Sequence, residues 1–446
     1  MSQKRKYKQY FTPNRLAEYM VNIVPDASVC SVVDLSMGEC GLLEEARKRW
    51  RTATLYGADI DETLIEKINV SSPYIHTYLG DSLSPNIESW NGYNVIVNGK
   101  GFDLAIANPP FNFYDQGEFL VNNEKLSLPI EMRFLMKYIE IVKEDGFICI
   151  ILPYGFLSLD AYEEFRIKIL SKVTILKIMK IFNNCFDHID ADTCLILMKK
   201  NKKNKIDIQE KITVEYLSDK YELLNKHTVI TAETKRWDLE YQQLLENDFA
   251  CCSKFKKVAL ESYIKTCRRG KSITKNKDII SDKGTRFIHT TDVKNLYISN
   301  KHKQYVNDYK GVLKKSVLYK ENILIGRVGQ GCIGKVGIVL KQYPKMFFSD
   351  CLFAIESENI NPYYLTLFLA SEFGQAQLKG IAKGSCSKYI TLKELYNIYI
   401  FVPDQYIQDY FGNKYQALLS RPGRVNKDIL FYNLLEELNE AIKMKG

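Results

Sequence analysis

Phe102-Asp103-Leu104-Ala105-Ile106-Ala107-Asn108-Pro109-Pro110-Phe111 is the stretch on which the fold turns. Its first six residues are a short apolar run, the pattern of a strand buried on both faces. Two prolines end it, because neither can donate a ladder hydrogen bond. An amide, two rigid rings and an aromatic side chain therefore follow the carboxyl end of a strand, the edge where open α/β sheets hold ligands. Read alone, 108–111 is equally a strand-ending turn, since Asn-Pro is a common turn signal. Its neighbours decide.

Upstream, three more runs end in carboxylates. Val29 to Val33 ends at Asp34, Ala53 to Ala58 ends at Asp59-Ile60-Asp61, and a partly apolar run ends at Leu79-Gly80-Asp81-Ser82. One acidic strand end is commonplace, whereas three in succession before Asn108 form a pattern of low chance probability. Leu35-Ser36-Met37-Gly38-Glu39-Cys40-Gly41 is a loop with two glycines, and Leu42 to Trp50 reads as a helix. Strand, glycine loop and helix N-terminus cradle nucleotide-like ligands, because glycine admits close approach and free amides point outward. An acidic residue ending the second strand accepts hydrogen bonds from ribose hydroxyls. Tyr10-Phe11-Thr12-Pro13 opens a helix whose Leu16, Met20 and Ile23 share a face.

Downstream, the polar stretch from 112 to about Pro129 reads as a mobile loop over the site. A helix is expected from Ile130 to Lys143, with Phe134, Tyr138 and Ile141 on one face. Strands are expected at Phe147 to Leu152, Ile175 to Ile181 and Thr193 to Met198, with Phe186 in the loop between the last two. This alternation predicts an α/β fold with a doubly wound, mostly parallel sheet. From Lys211 the signals become irregular. One domain is expected at 1–220 and a second, mixed α+β domain at 221–446. The latter holds glycine-rich strand segments at Asn322 to Gly329 and Gly331 to Val339. It ends in an amphipathic helix, Asp428 to Met444, expected to dock on a core.

Residues 1–230 carry 28 Lys+Arg against 31 Asp+Glu, whereas 231–446 carry 34 against 22. A second half at net +12 points to a polyanionic partner. No apolar run reaches the ~18 residues of a membrane span, and the basic, polar Met1 to Lys8 lacks a secretory signal's apolar stretch. The eleven cysteines include no Cys-x-x-Cys pair. Reduced thiols in the cytoplasm are expected, with no structural zinc.

Together these segments resemble the gamma-class N6-adenine DNA methyltransferases of bacterial restriction–modification systems. The signatures run in that family's order over roughly residues 7–200: Tyr10 to Pro13, Asp34 to Leu43, Asp59-Ile60-Asp61, Asp81, and Asn108 to Phe111. The Phe186 loop with the Thr193 strand is similar to the family's second adenine-stacking segment. Asn322 to Pro403 is similar to the recognition domains of type I specificity subunits. The resemblance implies a Rossmann-like domain using S-adenosylmethionine, followed by a target-recognition domain. The family's first loop usually reads acidic-Pro-x-x-Gly-x-Gly. Here Leu35 stands where proline is usual and Cys40 where the second glycine is usual, which puts cofactor affinity in doubt.

The resemblance assigns Asp59 to the ribose hydroxyls and Asp81 to the adenine amine of the cofactor. Asp34 and the Gly38 loop are assigned to its methionine end, and Thr12 and Phe134 to the pocket lining. Ser36, Ile60 and Ser82 belong to the same segments. Asn108 and the Pro109 carbonyl are the expected acceptors for a target adenine's amine protons, with Pro110 rigidifying the edge. Phe111 and Phe186 are expected to stack a base taken out of the duplex. Direct transfer without a metal is expected. Arg268, Arg269, Arg327, Gln330, Lys383, Ser385 and Lys388 are the expected DNA contacts, in a monomer acting on double-stranded DNA. Any cognate restriction endonuclease is expected to be a separate chain. Two other functions compete: a methyltransferase for RNA or protein glutamine, which the same tetrapeptide serves, and a non-catalytic DNA-binding specificity protein. The basic second half argues against the first, and the intact Asn108 to Phe111 stretch against the second.

Overall fold

The structure, a computed structural model, describes residues 11–443 except 26–27, 113, 122–123, 182–191, 203–208, 232–233, 247–252, 254, 300–302, 309–310, 330, 341–344, 386 and 422–426. The chain falls into two units, Met1–Gln242 and Gln243–Gly446. In the first the elements run α1 (Asn14–Ile23), β1 (Ser31–Asp34), α2 (Gly41–Arg49), β2 (Thr54–Asp59), α3 (Glu62–Ser71), β3 (Ile75–Leu79), α4 (Tyr93–Gly99) and β4 (Phe102–Ala107). There follow β5 (Gln116–Val121), β6 (Glu124–Pro129), α5 (Ile130–Ile141), β7 (Val142–Pro153), α6 (Gly155–Ser158), α7 (Glu163–Ile169), β8 (Val173–Lys180), β9 (Thr193–Lys200), β10 (Lys211–Leu217), β11 (Leu223–Ile230) and α8 (Leu239–Glu246).

Nine strands form one sheet in the order β11-β10-β8-β9-β7-β4-β1-β2-β3. The pairs β1–β2, β2–β3, β1–β4, β4–β7 and β8–β10 are parallel, and β9 runs antiparallel between β7 and β8. The apolar runs alternate faces, as the two-residue strand period requires. Val33, Ala105 and Ile150 join a core with α5, whereas Val32, Leu104, Ile106 and Ile151 join one with α1 and α2. Both faces are covered, so these strands read as continuous apolar runs in the sequence. Strand order reverses between β1 and β4, which places the ends of those strands, Asp34 and Ala107-Asn108, beside a switch-point crevice.

Two expectations change. The stretch expected as a mobile loop contains a β-hairpin, β5–β6, pairing Phe119 with Leu126. Leu126 and Phe119 pack on the core and Leu128 is buried, so the hairpin is held by apolar contacts that its polar composition hid. The expected boundary at 220 falls between β10 and β11, and the first unit continues to Gln242. Ile212, Val214 and Val229 anchor this extension in the core beside β8.

The second unit is mixed α+β. Strands Ile264–Arg269, Leu352–Ser357, Ile323–Gly326 and Val336–Ile338 form an antiparallel sheet in that order. Helices Pro362–Ala370, Gln405–Ser420 and Lys427–Lys443 build its core, the last by burying Leu434, Leu438 and Ile442. Among the described residues no helix is long and apolar enough to cross a membrane.

Candidate active site

Asp34 ends β1 with its side chain buried. Its Oδ1 accepts from the Ser36 N–H at 2.9 Å, the Ser36 hydroxyl at 3.4 Å and the Tyr138 hydroxyl at 3.3 Å. Burial pushes the carboxyl up to about 7, against the pull of these donors and with a further push from Asp59.

The loop beyond Asp34 turns through Gly38, φ +54°, and Cys40, φ +70°. Both are left-handed, a conformation that glycine adopts freely and cysteine adopts under strain. The Cys40 N–H donates to the Met37 carbonyl at 2.8 Å, and the Cys40 carbonyl accepts from the Glu44 N–H in α2 at 3.0 Å. Cysteine thus takes a left-handed turn that glycine adopts without strain. A Cβ on Gly38 would lie 3.0 Å from Phe11 Cδ1, so glycine is what seats that ring.

Asp59, at the end of β2, closes the loop from the other side. Its Oδ2 accepts from the Gly38 N–H at 2.9 Å and its Oδ1 from the Asp61 N–H at 2.9 Å. Burial raises its pKa, and these bonds pull it back. Ile60 stands 52% exposed beside it. Asp81 is exposed and accepts from the Leu83 N–H at 2.9 Å. Ser82 is buried, its hydroxyl donating to the Leu35 carbonyl at 2.8 Å.

Asn108 follows β4, partly buried, and its Nδ2 donates to Thr12 Oγ1 at 3.2 Å. Pro109 is buried, while Pro110 and Phe111 are partly exposed. The next residue is tied down as well: the Asn112 N–H donates to Glu131 Oε2 at 3.1 Å, and the Tyr162 hydroxyl donates to Glu131 Oε1 at 3.2 Å.

Phe11, Thr12, Asp34, Ser36, Gly38 and Asn108 line one cavity of about 130 Å³. The fold thus joins five of the expected cofactor residues, Asn108 being expected on that side as well as at the target amine. Asp59, Ile60, Asp81 and Ser82 stand outside its wall. Phe134 does not line it either, being buried with its ring 6.4 Å from that of Tyr138. Phe186 lies outside the described residues.

In the second unit, two of the expected DNA contacts, Arg269 and Arg327, converge on Asp350. Arg269 is exposed and pairs with Asp350 at 3.4 Å, and Arg327 donates to the Asp350 carbonyl at 2.8 Å. Burial, then the charge of Arg269, lowers the Arg327 pKa. The Lys388 carbonyl accepts from the Gly329 N–H at 2.9 Å beside them. Two expected contacts are engaged internally instead. Arg268 donates to the Val317 carbonyl and to Asn322 Oδ1, with its guanidinium 5.2 Å from the Tyr319 ring centre. Lys383 is buried in an ion pair with Glu394. Ser385 is partly buried, and Gln330 lies outside the described residues. Gly326 serves packing, since a Cβ there would sit 2.0 Å from the Cys332 carbonyl oxygen.

Residues 1–278, more than half of the chain, match the family model described as N-6 DNA Methylase. The chain belongs to that family. Residues 253–413 match the type I restriction modification DNA specificity domain. Over 136 residues the methylase is 22% identical to a Methanocaldococcus jannaschii protein assigned as a type II restriction enzyme and methyltransferase. That match covers 28% of this chain and 12% of the relative, so the chain spans a small part of that protein's length. Among solved structures, it is similar to the type I restriction-modification methyltransferase subunit from Streptococcus thermophilus, at 17% identity and TM-score 0.39. That likeness covers 50% of this chain and 56% of the other. The type IIG restriction endonuclease BpuSI is similar over 99% of this chain and 66% of its own, at 13% identity and TM-score 0.45.

Phe11 and Tyr138 shape this candidate site, and the sequence reading gave neither of them a role in it. Phe11 lay inside the quoted Tyr10 to Pro13 segment, so its signal was adjacency to Thr12. Tyr138 lay on the named apolar face of α5, where nothing local distinguishes a core ring from one whose hydroxyl reaches another element.

Proposed function

We propose that the chain transfers the methyl group of S-adenosylmethionine to N6 of an adenine turned out of duplex DNA, and that its second unit selects the target sequence. The observation that carries this reading is the meeting of Asn108, Thr12 and Asp34 around one cavity at the β1/β4 switch point.

The cavity suits the amino-acid end of the donor: Asp34 offers a carboxylate to an ammonium, and Gly38 lets the Phe11 ring close onto the same wall. Beyond the wall, Asp59 and Asp81 offer carboxylate acceptors to a ribose and a purine amine, and exposed Ile60 offers an apolar face. When bound, the donor supplies an electrophilic methyl on a sulfonium sulfur. The adenine amine is a poor nucleophile, because its lone pair is delocalised into the ring. Asn108 Oδ1 and the Pro109 carbonyl accept hydrogen bonds from its two N–H groups, so that the nitrogen can pyramidalise towards the methyl; the N–C bond forms as the donor's C–S bond breaks, and the one surplus proton is lost to water. Pro109 and Pro110 bring no competing N–H to this edge. Phe111 supplies a stacking face. Positioning and electrostatics supply most of the acceleration.

The match to a DNA specificity domain and the net charge of +12 over residues 231–446 support duplex DNA as the partner. The test incubates the protein with labelled S-adenosylmethionine and duplex DNA, RNA or protein extract, then digests and identifies the product. N6-methyladenine in the DNA is expected. Label found only in RNA or protein, or no transfer although the cofactor binds, overturns the reading.

A further inference from the structure

The residue after Asp34 is Leu35. Proline has no N–H and leucine has one. Leu35 is buried, and a buried N–H without an acceptor is costly. Tyr138 of α5 supplies the acceptor: its hydroxyl receives the Leu35 N–H at 2.8 Å and donates its own proton to Asp34 Oδ1 at 3.3 Å. A phenol can accept and donate at once, so one oxygen ties both groups. The other side of the same peptide is held too, by the Ser82 hydroxyl on the Leu35 carbonyl at 2.8 Å. Tyr138 is wholly buried and is not on the cavity wall, whereas Asp34 is.

We infer that Tyr138 is a positioning residue for the methyl-donor site, aiming the Asp34 carboxylate into the cavity and satisfying the N–H that Leu35 introduces. The inference rests on the proposed function, since it takes Asp34 as the partner of the donor's ammonium. Because Tyr138 donates to the charged form of Asp34, it also sets the pH at which that partner is available. The groups facing Asp34 are Tyr138 from α5, Ser36 in its own loop, Asp59 from β2, the Cys40 thiol at the start of α2, and Glu39 on the cavity wall. Of these, Tyr138 and Ser36 favour the carboxylate, and Asp59 opposes it.

The test measures S-adenosylmethionine binding to the full chain by calorimetry across pH, for the parent, Tyr138→Phe, Leu35→Pro and the double variant. Tyr138→Phe should weaken binding about tenfold, equivalent to about 1.4 kcal/mol. It should also move the binding midpoint to higher pH and leave DNA affinity unchanged. Leu35→Pro should bind within about threefold of the parent, because it removes the donor that needs Tyr138. The double variant should bind more tightly than Tyr138→Phe alone and melt at a higher temperature, since no buried N–H is stranded. A Tyr138→Phe protein that binds like the parent with the same pH midpoint overturns the inference, as does a double variant no better than the single one. If Tyr138→Phe does not fold, the double variant decides: recovery of fold and binding supports the role, and failure assigns Tyr138 to core packing alone. A parent that binds no S-adenosylmethionine overturns the proposed function itself, and that outcome is read before any variant is compared.

Discussion

The Asn108 side-chain nitrogen donates to Thr12 Oγ1 at 3.2 Å, joining residues 96 positions apart in the chain. The bond sets the orientation of the amide, with Nδ2 turned to Thr12 and Oδ1 on the opposite side. Asn108→Ala should therefore abolish methyl transfer while leaving DNA affinity and melting temperature nearly unchanged. Thr12→Val, which keeps the shape and loses the acceptor, should lower kcat by roughly tenfold, the size of one hydrogen bond of about 1–1.5 kcal/mol. Steady-state kinetics with a fluorescence anisotropy measurement of DNA binding checks both. Equal loss of transfer and DNA binding in Asn108→Ala would mark Asn108 as structural.

The buried Asp34 carboxyl, pushed up to about 7, produces two opposite pH effects. Its folded-state value lies above its unfolded value of about 3.9, so the unliganded protein keeps a proton that the unfolded chain releases. Its contribution to stability is full below about 4 and is lost as pH rises through about 7. A cationic ligand favours the charged form, so cofactor binding strengthens over that same rise. The melting temperature of the unliganded parent should fall more steeply between about pH 4 and 7 than that of Asp34→Asn. Cofactor binding near pH 6.5 should release up to about one proton, read from calorimetry in buffers of different ionisation enthalpy. Identical slopes in parent and variant would rule Asp34 out as the titrating group.

Gly38→Ala should cost about 1–2 kcal/mol in urea unfolding, because the new Cβ meets both a left-handed φ and the Phe11 ring. Cofactor affinity should fall with it, since Phe11 and Gly38 share the cavity wall. A variant of parental stability would show that the loop relaxes.

Lys383 and Arg269 should separate stability from DNA binding. Lys383→Ala leaves the partly buried Glu394 without its cation and should destabilise the second unit by roughly 1–3 kcal/mol. Arg269→Ala, at an exposed position, should leave the melting temperature within a degree or two. It should reduce the slope of log K against log salt by about 1, as one lost phosphate contact does. Unchanged salt dependence in Arg269→Ala would take that arginine off the DNA surface.

Much of the first unit is legible in the chain itself. A strand covered on both faces must be apolar throughout, so β1, β4 and β7 announce themselves, and their polar ends are visible because burial stops there. β10 and the hairpin β5–β6 were not legible. β10 interrupts its buried positions with Lys211, Thr213 and Tyr216, and in the hairpin a stretch such as Lys125-Leu126-Ser127-Leu128 shows its apolar side only once the α5 core is present to receive it. In the second unit, residue type marked Lys383 and Arg268 as candidate contacts. Their partners, the partly buried Glu394 and the buried Asn322, are held by tertiary packing that no local pattern records.

By itself, the sequence determined the order of strands and loops, the three acidic strand ends, and the Asn108 to Phe111 edge. Those follow from local rules: apolar periodicity, proline's missing N–H, and glycine's freedom. Only the tertiary structure decided how the altered first loop is made to work. Cys40 adopts the left-handed turn, Asp59 grips Gly38, and Tyr138, 103 residues from Leu35, accepts the N–H that proline would not have had. The physical reason is that a buried donor must be satisfied somewhere, and the partner is chosen by proximity in space rather than along the chain.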